Sequence, residues 1–287
     1  MKKYRFEEKG SMMSWNRFLV GLVCGAMFWA CSDSGSDGTD VVGGASGDSG
    51  IIAIKNQEVA GVAQKGPFVT GSSVVLKETS AAGDFKPTNR VFYATTRSDK
   101  GDFRIEGISL ESQYVRLTVT GYYERETTGE NSACQVSLNA LSDISNRDEI
   151  NINVLTHLEY GRILRLIKKG KTFAEAKKQA HKELMKAFYY EDLIRESESL
   201  DITQSGDDDK ALKKISGFVD YFAFSCEGDL IHDYVIDHEV YCVDINEEHE
   251  RYCKETQEFL DKMAETFASS GDLEDYHYFI YYWFREN

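Results

Sequence analysis

Two pentads near the C-terminal end carry the same residue types in the same order, His238-Glu-Val-Tyr-Cys242 and His249-Glu-Arg-Tyr-Cys253. In each, an imidazole and a thiol stand four positions apart, which on a helix puts both on one face, as two zinc ligands would need. The form is close to the His-Glu-x-x-His of zinc hydrolases, with cysteine in place of the second histidine and no third ligand following at the usual spacing. On one continuous helix the two pairs stand about 16 Å apart at 1.5 Å per residue, so they share an ion only if the chain reverses between them. The competing chemistry is oxidation. Cys134, Cys226, Cys242 and Cys253 form an even set, and four thiols allow three pairings. With one helix ending near Cys226 and the next beginning near Asp244, an antiparallel return sets Cys226 beside Cys242, while Cys253 lies about 14 Å along the second helix. The expected bridge is Cys226–Cys242, leaving Cys134 and Cys253 free or joining the two domains. No cofactor is expected, and zinc on His238, Cys242, His249 and Cys253 is the alternative. His157 falls beside Thr156 and Glu159, where packing against a neighbouring layer explains it without a catalytic role. No Gly-x-Ser-x-Gly and no phosphate-binding Gly-Lys motif is present, and Asp207–Asp209 lacks the glycine and spaced partners of a calcium loop. No named reaction follows from these residues.

The remaining two cysteines sit near the other end. Lys2, Lys3, Arg5, Lys9 and Arg17 precede a 13-residue apolar run, Phe18–Ala30, which is followed by Cys31. A charged segment, an apolar segment and a small residue before a cut make a targeting sequence. This segment resembles a bacterial lipoprotein signal peptide, which implies lipidation of Cys31, removal of residues 1–30, and a mature protein held in the cell envelope by its lipid, at the outer membrane. Phe28 and Trp29 depart from the family pattern, Cys24 follows Val23 rather than a small residue, and an uncleaved anchor helix is the alternative. Residues 31–55 then form a Gly/Ser/Asp tether with almost nothing to bury. Nineteen residues of such a coil span roughly 24 Å, enough to hold a folded body clear of lipid headgroups.

The body these residues leave is acidic. The 287-residue chain carries 33 basic against 48 acidic side chains, a formal charge of −15, and most of its surface repels a phosphate backbone. Nucleic acid is not an expected partner. Loss of residues 1–30 removes more basic than acidic groups and deepens that imbalance.

Over residues 56–147 apolar residues recur with period two. Val115, Leu117 and Val119 alternate with polar neighbours, as do Val136, Leu138 and Ala140, so each strand has one buried and one wet face. Turn signals at Gly66-Pro67, Gly71-Ser72, Ser98–Gly101 and Thr128-Gly129 divide the stretch into six or seven strands. Gly61-Val-Ala63, Gly71–Leu76, Thr95–Ile105 with its Thr-x-x-x-Asp-x-Gly-x-Phe turn, and Tyr114–Tyr123 resemble carboxypeptidase-regulatory-like, transthyretin-like β-sandwich domains. The longer string through Leu138–Asp143 and Ile150–Leu158 is similar to uncharacterised exported lipoproteins of fibre-degrading gut bacteria, which implies an architecture and a location but no activity.

Residues 150–287 read as an α-helical domain, giving an α+β multidomain chain. Helical spacing runs from Ile152 to Lys168-Lys-Gly170, Thr172-Phe-Ala-Glu175 is a capping box, and Asp207–Asp209 charge the start of a third helix. Asp244-Ile-Asn-Glu247 starts a fourth, and Leu273–Phe284 forms a last one with seven aromatics within 276–284. Such a cluster closes a small core, or offers a surface to a partner or a glycan. The expected role is binding or scaffolding at the bacterial surface, toward polysaccharide or an envelope protein, with a metal-dependent hydrolase using the His238–Cys253 region as the alternative.

Overall fold

The computed structural model describes residues 50–80, 85–193, 195–224 and 250–286, without the side chains at 224, 250–255 and 286. These residues belong to one compact unit, Gly43–Asn287. Seven strands precede five α-helices among the described residues: β1 (Ile54–Gln64), β2 (Ser73–Thr79), β3 (Pro87–Thr95), β4 (Asp102–Leu110), β5 (Tyr114–Gly121), β6 (Val136–Asp143) and β7 (Ile152–Asn153), then α1 (Val154–Lys168), α2 (Phe173–Ala187), α3 (Asp207–Phe224), α4 (Glu250–Ser270) and α5 (His277–Glu286).

The strands form two sheets, ordered β4-β1-β7 and β3-β2-β5-β6. All pairings are antiparallel except β1 with β7. The register turns the period-two pattern into one continuous inner row. Val74 faces Val119 and Leu76 faces Leu117, while Leu117 faces Ala140 and Val119 faces Leu138, and all six are fully buried. Val59, Phe103, Ile105 and Ile108 of the other sheet join the same core. The Ser98–Gly101 turn is pinned by Asp99, which accepts hydrogen bonds from the Thr70 amide at 2.9 Å and hydroxyl at 2.7 Å. Gly101 has φ +81°, and a Cβ there would stand 2.2 Å from the Ala63 carbonyl oxygen, so this turn admits only glycine.

The alternate row of β5 and β6 is covered in part by helices: Tyr114 and Leu141 are buried, while Arg116, Thr118, Thr120, Ser137 and Asn139 keep partial exposure. Tyr114 and Leu141 pack with Ile163, Leu166, Phe173, Ala176 and Ala180 of α1 and α2 in a second apolar cluster. A chain segment expected to be helical from Ile152 instead gives its first two residues to the sheet as β7, and α1 begins only at Val154. Asn153 makes the difference. Its side chain accepts from the Thr156 amide at 3.0 Å and the Thr156 hydroxyl accepts from the Asn153 amide at 2.9 Å, a reciprocal cap that fixes the start of the helix. The capping box read at Thr172 and Glu175 is present at the start of α2. Replacing Thr172 by alanine is expected to cost about 1 kcal/mol, measurable as a lower urea midpoint with an unchanged slope.

The third helix is clamped to the strands by a buried ionic network. The Lys65 side chain, immediately after β1, has no solvent exposure. Its Nζ donates to Glu126 Oε2 at 3.0 Å and to the Ser216 carbonyl at 3.1 Å, lies 3.9 Å from Asp220 Oδ1, and sits 5.1 Å from the centroid of the Tyr123 ring. The Ser216 hydroxyl donates to the Lys65 carbonyl and stands against Glu126. Asp220, also fully buried, accepts from Arg125 Nε at 3.3 Å and from Thr127.

The C-terminal aromatics divide between core and surface. A short 3-10 turn, Glu274–Tyr276, leads into α5. Tyr276 and Ile280 are buried, Phe279, Trp283 and Phe284 pack partly buried against the core, and Tyr278, Tyr281 and Tyr282 are 48%, 44% and 43% exposed.

Candidate functional site

Where β6 runs out and α1 and α2 pack beside it, the backbone leaves a cavity of about 520 Å³, within the range of small-molecule sites. The end of β6 supplies Asp143, the loop after it Arg147, α1 supplies Glu159, α2 supplies Lys177 and His181, and the short 3-10 turn Ser197–Ser199 supplies Ser197 and Glu198. Helical spacing accounts for the α2 pair: positions 177 and 181 lie one turn apart on the same face.

The lining is densely charged and largely self-paired. Glu198, almost fully buried, accepts from the Ser142 hydroxyl at 2.8 Å and pairs with Arg147 and Lys177. Lys177 Nζ also donates to the Leu141 carbonyl at 3.0 Å. Arg147 uses its other terminal nitrogen on Glu196. Burial opposes the charge on Glu196, but the Arg147 guanidinium more than offsets it and holds the carboxyl below its usual range. Burial has the opposite outcome for Lys177: desolvation of the ammonium, only partly offset by Glu159, lowers its pKa from 10.5 to about 8.

Glu159, His181 and Ser197 form a tight group. The Ser197 hydroxyl donates to Glu159 Oε1 at 2.6 Å, and His181 Nδ1 lies 3.0 Å from the same oxygen and 3.2 Å from the Ser197 hydroxyl. The three residue types are those of a nucleophile, base and orienting carboxylate, but their arrangement is not that of a triad. Serine and carboxylate share the Nδ1 side of the ring, so the imidazole does not stand between them to take a proton from the hydroxyl. His181 Nε2 is buried. Burial disfavours the imidazolium, yet the hydrogen bond and charge of Glu159 outweigh it and raise the pKa above 6.5. With the folded pKa raised, the stabilisation from His181 is fully present below the unfolded value near 6.5 and is lost as pH rises through the folded value. His181→Gln is therefore expected to remove a decline in stability across neutral pH, read from urea midpoints at several pH values. A variant whose midpoints keep the wild-type slope contradicts this.

The residues singled out by sequence are distributed differently. His157 is buried against the strands, 3.4 Å from Asn139 and 3.4 Å from Asp261, which makes it part of the packing between β6, α1 and α4. Cys31, Cys226, His238, Cys242 and His249 lie outside the described residues, as do residues 1–30 and most of the tether; Cys253 belongs to α4, with its side chain outside them. Among the described residues no group of His, Cys, Asp and Glu has the arrangement of a metal site. Cys134 is buried and disulfide-bonded. Non-reducing peptide mapping is expected to recover the Cys134 peptide linked to one carrying Cys226, Cys242 or Cys253; a free Cys134 thiol in protein purified without reductant contradicts the bond. No described helix is long and apolar enough to cross a membrane.

The polar cavity was not legible in the sequence. Lys177 and His181 are ordinary residues of an amphipathic helix until α1 and the loop after β6 close over them, and Glu196–Glu198 fall in a stretch with no periodic pattern. No protein-family model, curated protein or solved structure matches this chain.

Proposed function

We propose that this chain is a lipid-anchored envelope protein whose folded body, a transthyretin-like β-sandwich with helices packed on it, binds polysaccharide or an envelope partner through the cavity between α1, α2 and the loop after β6. The observation that carries the binding role is the lining of that cavity. Four carboxylates, Asp143, Glu159, Glu196 and Glu198, face Arg147, Lys177, Lys178 and His181. A strongly anionic ligand meets the carboxylates and the overall charge of −15, and a strongly cationic one meets the lysines and arginine. A neutral ligand rich in hydroxyl groups, each able to donate and accept, suits such a mixed lining. The disulfide at Cys134 supports a location outside the reducing cytosol, in agreement with the charged and apolar segments that precede Cys31.

Co-sedimentation of the full chain with insoluble cellulose, with insoluble xylan and with outer-membrane vesicles tests this reading. Wild type is expected to deplete with at least one of them, and the exposed lip variants Asn146→Ala and Lys178→Ala to weaken that binding at least tenfold, about 1.4 kcal/mol. Depletion by none of the three contradicts the binding role; depletion that the lip variants leave unchanged contradicts the choice of cavity.

A further inference from the structure

The Lys65 network has the parts of a chemical reaction as well as those of a clamp. A primary amine with no solvent exposure is held 3.0 Å from one carboxyl group, Glu126, and 3.9 Å from an oxygen of a second, Asp220. The two oxygens of Asp220 are themselves engaged by donors, Arg125 Nε at 3.3 Å on Oδ1 and the Thr127 amide and hydroxyl on Oδ2. Those donors are placed to stabilise negative charge developing on the carboxyl oxygens during attack at Cγ. The Ser216 carbonyl, accepting from Nζ at 3.1 Å, steadies the amine in the same site, and the Tyr123 ring lies beside it.

We propose that Lys65 and Asp220 are joined in the mature protein by an intramolecular amide bond, with Glu126 as the proton relay. The balance closes without any added reagent. Glu126 takes a proton from the Lys65 ammonium, the freed amine attacks Asp220 Cγ, and a C–O bond of the carboxyl breaks as the N–C bond forms. The departing oxygen leaves as water, carrying the proton relayed by Glu126 and a second one released from Nζ. One ammonium and one carboxylate become one neutral amide. Burial favours the relay, because desolvation raises the Glu126 pKa even though Lys65 and Ser216 oppose it. With Nζ 3.9 Å from Asp220 Oδ1, the reacting groups need no encounter step. The product would tie the end of β1 to α3 and so fasten the strands to the helices by a covalent bond.

Tryptic digestion of the purified full chain followed by tandem mass spectrometry tests this directly. The expected result is a branched peptide in which Lys65 is linked to Asp220, lighter by one water than its two arms together, with no cleavage after Lys65. Lys65→Arg, which keeps the positive charge, and Asp220→Ala are each expected to abolish the branched peptide. Glu126→Gln is expected to reduce it at least tenfold, and Asp220→Asn to retain it through loss of ammonia instead of water. Circular dichroism confirms that each variant is folded before its peptides are read. Recovery of Lys65 only in linear peptides from folded wild type overturns the proposal, as does a branch joined to Glu126 rather than Asp220.

Discussion

Lys65→Met is expected to destabilise the protein by at least about 3–5 kcal/mol, because it leaves Glu126 and Asp220 buried without the partner that neutralises them, whether as ammonium or as amide. Methionine keeps most of the apolar stem beside Tyr123, so the loss isolates the amine rather than a cavity. Glu126 and Asp220 would remain buried with Arg125 alone to offset their charge. The effect should be global. Lys65 follows β1 and contacts α3, strands and helices belong to one compact unit, and the apolar core runs through both. Equilibrium urea unfolding followed by tryptophan fluorescence, which reports on Trp283 beside Phe218 and Tyr221 of α3, and by far-ultraviolet circular dichroism should give coincident transitions shifted together. A shift below about 1 kcal/mol, the scale of an exposed pair, contradicts the burial of this group, and two separated transitions contradict a single cooperative body.

The second large effect is a pH dependence centred on Lys177. Its folded pKa is depressed from 10.5 to about 8, so between those values the unfolded chain binds more protons at this residue than the native one does. Stability then rises with pH across that window. The penalty for holding the charged amine in the cavity is fully present below pH 8 and is relieved as pH approaches 10.5. At about 1.4 kcal/mol per unit the change is on the order of 3 kcal/mol. Lys177→Met lacks this titration. The wild-type minus variant difference in unfolding free energy is expected to climb with pH through the alkaline range, a comparison that cancels the other lysines and tyrosines. Parallel curves for the two proteins contradict a desolvated amine at this position.

How far the sequence reaches depends on whether the physics is local. The inner row of β5 and β6 was legible because strand pleating alone dictates which of Val115, Leu117, Val119, Leu138 and Ala140 share a face. The start of α2 was legible because a capping box needs only residues three apart, Thr172 and Glu175. The helical pattern starts two residues before α1 itself, since Ile152 and Asn153 fit it until β1 offers them a parallel partner across nearly ninety intervening residues, Ala63 with Ile152 and Gln64 with Asn153. The aromatic C-terminus shows the same limit: composition announces a cluster, but only α3 and α4 decide that Tyr276 is buried and Tyr281 is exposed. Lys65 and the Lys177 cavity are the extreme cases. Each is assembled from distant segments whose residues, taken singly, look like ordinary surface charges. The paired His-Glu-x-Tyr-Cys pentads stand out in the sequence because their spacing is local, while the described ionic clusters use charged side chains with no motif at all.

The most direct test of the envelope reading is detergent phase partitioning of the full chain produced in a bacterium that processes lipoproteins. Wild type is expected in the detergent phase. Cys31→Ser is expected to incorporate no labelled palmitate and, once its leader is trimmed elsewhere, to move to the aqueous phase, and Cys24→Ser is expected to behave as wild type. A Cys31→Ser protein that still partitions and labels like wild type, with Cys24→Ser losing both properties, contradicts the anchor at Cys31, and a wild-type protein that takes up no palmitate contradicts lipid anchoring altogether.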